Sequence, residues 1–148
     1  MTSVWYAYGA AGIMNGSIDL DTSTLKAILV CTNTTSDTED KQFVSGFTTL
    51  DEMDGTGYAR VTLSGGSVSG DLVNHRGEIT FSDIRFVGVS AGTRQVQGVL
   101  IYKHVTNDAD SIPIAYIDGD VSGIFPFTAN GGDIVIASPA EGLLRVSR

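Results

Sequence analysis

"NGSIDLDTSTLKAILV", residues 15–30, decides the fold of this chain. It opens on the turn pair Asn15-Gly16, passes two aspartates flanking a leucine and a Ser/Thr cluster, and ends in an apolar run that Cys31 closes. Asp19, Asp21 and Ser23 stand at alternate positions, as the first ligands of an EF-hand loop do. Such a loop needs a glycine at its sixth position and a bidentate glutamate at its twelfth. Thr24 and Val30 hold those places, so the oxygen shell is not completed locally. Short polar side chains of this kind bond their own backbone and make turns. The acidic portion is therefore the lead-in to a strand. "TLKAILVCT" is too apolar for an edge, which predicts a central strand.

Working outward, the same logic holds at "DGDVSG". Asp118, Asp120, Ser122 and Gly123 fit the opening half of a calcium loop, but Ala129 stands at the twelfth position and Pro126 interrupts. Asp118 and Asp120 are read as turn formers, and neither metal nor cofactor is expected.

Residues 3–14, "SVWYAYGAAGIM", are the best helix candidate, with Val4, Tyr8, Ala11 and Met14 near helical spacing and Asn15-Gly16 as the stop. "TNTTSDTEDKQ" reads as an exposed, mobile loop, "FVSGF" as a short strand or turn, and "TTLDEMDGTG" as a helical turn capped by Thr48 or Thr49. From Tyr58 onward the pattern is nearly all β: "YARVTL", "SVSGDLV", "EITF", "IRFVGV", "VQGVLIYKHV", "IPIAYID", "DIVIAS" and "GLLRVS", with "NHRG" and "NDADSIP" between strands. "VLIY" and "PIAYI" are apolar on both faces, so both are expected beside "TLKAILV" in a central sheet. Short strands separated by turn signals argue a single antiparallel β-sandwich of jelly-roll type over residues 1–148, with a short N-terminal helix.

Composition agrees. The chain has 148 residues, 42% hydrophobic and 18% charged, with 18 glycines and only 3 prolines, a balance of strands joined by tight turns. Nine basic residues against 17 acidic ones give a net charge of -8, which repels a polyanion, so nucleic acid is not expected as a partner. Cys31, the single cysteine, reads as a small buried hydrophobe. No apolar run approaches the ~20 residues that span a bilayer. No basic, apolar leader opens the chain, so it is expected to be made and folded in a cytosol, without a membrane.

Catalytic chemistry is thinly represented. His75 in "NHRG" and His104 after "VLIYK" lie in neither HExxH nor a Cys-His pair, and read as surface imidazoles. "GGSVSG" misses the nucleophile elbow by one residue, and "DGTGYA" has only two glycines and feeds a strand. Paired carboxylates for glycoside hydrolysis stay open, because their separation is not legible in sequence. The expectation is no enzyme. Trp5, Tyr6 and Tyr8 in "WYAY" have two readings. They are anchors for a partner, or the packing face of a helix on the domain's own sheet.

The order of "NG", "SIDLDTSTLKAILV", "GTGYARVTL", "EITFSDIRF" and "VQGVLIYKHVTNDADSIPIAYID" resembles a family of small virion proteins of tailed bacteriophages. Its members read "NG-x-IDxDTDTIKVAL", then "GTGY", then "ARYAVIYDDT…PLIGYID". The likeness runs from Met14 to about Asp118, and the last strands fit in kind. The chain departs from it at Lys103-His104 with the polar stretch that follows, and at "GAAG" in the helix. The resemblance implies a capsid decoration or cement protein on the virion exterior. Its partners would be the major capsid protein and sister subunits, most simply as a homotrimer. A tail or fibre accessory that recognises a receptor is the alternative it allows.

Overall fold

The computed structural model describes residues 2–119, 125–139 and 142–147. The chain is mainly β, and its sheets are antiparallel. In chain order the elements are β1 (Thr2–Trp5), α1 (Ala7–Met14), β2 (Leu25–Cys31), a 3-10 turn (Val44–Gly46), β3 (Val61–Thr62), β4 (Ser67–Asp71) and β5 (Arg76–Thr80). They continue with β6 (Ile84–Phe86), β7 (Val96–Lys103), β8 (Ile112–Gly119), β9 (Ile134–Ile136) and β10 (Leu144–Ser147). Five strands form a sheet in the order β1-β8-β7-β2-β3, three in the order β10-β5-β4, and β6 pairs with β9.

The three strands expected at the centre are the three inner strands of the large sheet. Their registers put Ala27, Ile101 and Ala115 in one row and Leu29, Val99 and Ile117 in another, all on one face. Ile28, Leu100 and Tyr116 form a row on the opposite face. Both faces are covered, which is why period-two alternation is lost in these strands. The first face belongs to the main core, with Ile79, Ile84, Phe86, Ile136 and Leu144 from the smaller sheets. The second is closed by Tyr6, Val44 and Phe47. Leu29, Ile101 and Tyr116 are buried, as the central assignment requires. Each such side chain contributes about 1.5–3 kcal/mol of burial.

Tertiary pairing overrides local pattern in several places. Residues 3–14 do not form one helix. Thr2–Trp5 pairs with β8, and only Ala7–Met14 is helical. The same pairing extends β8 to Gly119, so Asp118 is a strand residue and not a turn former. Asp120, Ser122 and Gly123 lie outside the described residues. Residues 48–57 hold no helix, because Asp51 and Met53 bond the backbone of Cys31 and Leu29 and complete the outer edge of β2. "FVSGF" forms the 3-10 turn. The turn read at "NHRG" falls at residues 72–75, and Arg76-Gly77 already belongs to β5.

The polar loop after β2 is more than an exposed connection. Ser36 is buried, and its carbonyl accepts a hydrogen bond from the Tyr6 hydroxyl. Thr35 and Glu39 tie the loop to Thr48 and Thr49, so this segment lids the second face. Cys31 is buried as expected, and burial pushes its thiol up to about 11.

Candidate interaction surface

A helix of eight residues is marginal alone, since isolated helices need roughly 12–15 residues. Docking therefore carries α1. The Tyr6 amide donates to the Ile114 carbonyl at 3.0 Å, starting the helix on β8. A Cβ at Gly9 would stand 2.4 Å from the Pro113 carbonyl oxygen, so glycine is what lets the helix sit this close. The Ala7 amide donates to both Asp40 carboxylate oxygens at 3.2 Å, which places a negative charge at the positive end of the helix.

This docking separates the three aromatic residues singled out in sequence. Tyr6 is 1% exposed, packs edge-on against Phe47 with ring centroids 5.5 Å apart, and belongs to the chain's own core. Burial raises its phenol well above the usual tyrosine range. Trp5 is half-buried against the main core. Tyr8 is 46% exposed and meets Phe43 edge-on at 6.3 Å. Tyr6 thus follows the packing reading, while Tyr8 is left exposed at the surface.

Val4 and Met14 join Tyr8 at the surface, Met14 at 83% exposure, with Ala7 and Ala11 exposed beside them. The first charged residue of the chain is Asp19, and the Asp40 carboxylate at the Ala7 amide borders this apolar face. Apolar spacing in the sequence pointed to Val4, Tyr8 and Met14 as one stripe, but not to which side of the helix stays uncovered. Leu72, Val73, Val68 and Val146 form a second exposed apolar group, on the β4–β5 hairpin and β10. Here the signal was "DLVNHRG", where two apolar residues run directly into a turn.

Many arginines are engaged with carboxylates. Arg60 donates to both oxygens of Glu52, at 2.8 and 2.6 Å, and to both oxygens of Asp108, at 2.5 and 2.9 Å. Its guanidinium lies 5.6 Å from the centre of the Tyr102 ring, and the Tyr58 hydroxyl donates to Glu52 at 2.8 Å. The Arg60 hydrogen bonds hold the Asp108 carboxyl below the usual carboxylate range. Two carboxylates locked on one guanidinium are a clamp that ties β3's flank to the loops carrying Glu52 and Asp108. Arg94 pairs with Asp51, and Arg85 with Asp133.

Elsewhere the chemistry is dispersed. His75 occupies the β4–β5 turn with φ 53°, and His104 follows β7, its amide bonded to the Thr24 carbonyl. In the acidic lead-in, Asp19 and Ser23 bond each other's backbone and Asp21 donates its amide to Asp19, which makes a self-capped turn. Among the described residues, no group of three or more His, Cys, Asp or Glu is placed to hold a metal ion. A shallow depression of ≈ 250 Å³ beside Phe127, Asn130 and Asp133 is open to solvent. No described helix is long and apolar enough to cross a membrane. In comparisons with known proteins, no family model matches this chain, and no curated protein or solved structure matches it either.

Proposed function

We propose that this chain is a capsid decoration protein of a tailed bacteriophage, binding the outer surface of the major capsid lattice and stabilising the head. The observation that carries the reading is the exposed apolar face of β1 and α1 on an otherwise acidic β scaffold. Exposed apolar patches of this kind mark interaction sites. The order of motifs shared with the small virion proteins supplies the class of partner. In this reading the large sheet and the smaller sheets are the two layers of a jelly-roll sandwich, and the protein works on the capsid exterior.

The mechanism is mechanical. A head filled with compressed DNA fails where neighbouring capsomers separate. A rigid β body bridging two or three capsomers adds contacts at each junction, and simultaneous engagement prolongs residence without new contacts. A homotrimer matches the threefold and quasi-threefold junctions of such a lattice. Tyr8 and Trp5 are the anchors, and Tyr6 holds their segment on the core from within.

Counting copies in purified virions by quantitative mass spectrometry tests the reading. Hundreds of copies per particle are expected. A handful would make the protein a tail or fibre accessory instead, and its absence from virions would overturn both. Tyr8→Ala sharpens the assay, because truncating an interface anchor costs about 2 kcal/mol, roughly thirtyfold in affinity. Purified heads should therefore bind the folded variant measurably less at limiting concentration.

A further inference from the structure

We infer that the free edge of β4 pairs, antiparallel, with β4 of a second copy of this chain about a twofold axis through Ser69. The inference rests on this edge and stands apart from the capsid reading. β4 ends its sheet, with β5 as its only strand neighbour among the described residues. Among the described residues no strand pairs with its other side, and such an edge is a template for a further strand.

Proteins blunt such edges with bulges, lysines, prolines or extreme shortness. Other described sheet edges carry such features, and β6 and β9 have only three residues each. β3 has two residues, β1 has a register shift between Thr2 and Ser3, and β10 carries Arg145. β4 has no bulge, lysine or proline, and its one charge is Asp71 at its end. Its five residues pair with β5 in unbroken register, and the chain is uncharged from Ser64 to Gly70.

Self-complementarity names the occupant. Only one antiparallel register pairs all five residues of two copies: Ser69 faces Ser69, Val68 faces Gly70, and Asp71 faces Ser67. Val68 is 56% exposed, and nothing lies within 4 Å of where a Gly70 Cβ would stand, so each valine covers the other copy's glycine. Directly opposed residues of an antiparallel pair bring Cβ positions within ~5.5 Å, close enough for that contact. Each Asp71 meets a serine hydroxyl and not a second carboxylate. Within residues 67–80 and 144–147 the charges balance, Asp71 and Glu78 against Arg76 and Arg145, so these strands themselves do not repel a like copy. A five-residue edge buries well under the ~800 Å² per partner of a stable interface. The contact is therefore weak and forms where local concentration is high.

The test uses the full chain at rising concentration. Ser69→Cys should cross-link under mild oxidation to a species of doubled mass, at roughly tenfold higher yield than Ser67→Cys, since only position 69 faces itself across the axis. Buried Cys31 gives the background. In sedimentation velocity, Val68→Lys should weaken self-association about tenfold, because a charge now points at the edge. Its melting temperature should hold, given the exposure of the site. Equal cross-linking at positions 67 and 69 would overturn the proposal, as would undiminished association of Val68→Lys. So would an unassociated wild-type chain at about 1 mM.

Discussion

The inner strands β2, β7 and β8 bury both faces, whereas β4, β5 and β10 bury one face over only part of its length. In the small sheet Val68, Ile79 and Leu144 share a row, and Ile79 and Leu144 reach the main core. The next row on that face is Gly70, Gly77 and Val146, and nothing packs on its glycines. The opposite face carries Ser69, Glu78 and Arg145. The difference teaches that an apolar β row is not by itself core. What decides is whether another layer reaches it.

The two faces of the large sheet also differ from each other. The first is closed by strands, and its side chains interdigitate with those of β5, β6, β9 and β10. The second is closed by a loop whose position depends on hydrogen bonds among Thr35, Glu39, Thr48 and Thr49. The second cover thus combines the packing of Tyr6, Val44 and Phe47 with these polar ties, so it should respond to acid as well as to cavities.

The largest effect should come from the strand-covered face. Leu29→Ala leaves a cavity in a site with 0% exposure and should cost about 2–5 kcal/mol in urea unfolding. A loss under about 1 kcal/mol would mean that this face is not close-packed. Next comes Gly98→Ala in β7. The new Cβ would lie 2.6 Å from the Tyr116 hydroxyl and 2.8 Å from the Ile117 carbonyl oxygen. Overpacking of this kind should cost about 1–3 kcal/mol. An unchanged midpoint would show that β7 and β8 can separate freely.

The loop-covered face should answer to acid. The Thr48 hydroxyl and amide, with Thr35, draw the Glu39 carboxyl down from 4.5 to about 2. A carboxyl depressed by folding stabilises the native state fully above its unfolded value, and that support fades as pH falls through the folded one. Hydrogen exchange at the Thr48 and Thr49 amides should therefore quicken as pH drops from 4.5 toward 2, beyond the intrinsic trend. Glu39→Gln should abolish that excess. An excess that survives the substitution would assign the acid response to another group. The smallest effects belong to the overhang. Leu72→Ser and Val146→Ser, at 88% and 67% exposure, should each shift stability by no more than about 0.5 kcal/mol at low concentration. A larger loss would mean that the hairpin is packed after all.

Several features were legible in sequence because they depend on local chemistry. An apolar run without alternation can sit only where both faces are covered, and that identified β2, β7 and β8. Asp19 and Ser23 turn the chain with their own side chains, so "DLDTS" could be read without its neighbours. Tertiary structure decided the rest. Thr2–Trp5 became a strand because β8 offered an edge, and Asp51 and Met53 run beside β2 and not in a helix because β2 had bonds to satisfy beyond the two residues of β3. Helical spacing grouped Val4, Tyr8, Ala11 and Met14, yet Tyr6 is buried and Tyr8 exposed because the helix meets β8 through Gly9 and Ile18 through Gly12, the side with least bulk. The pattern of a strand or helix sets which side chains share a face. Which face is covered depends on segments distant in sequence, and only the folded chain brings those together.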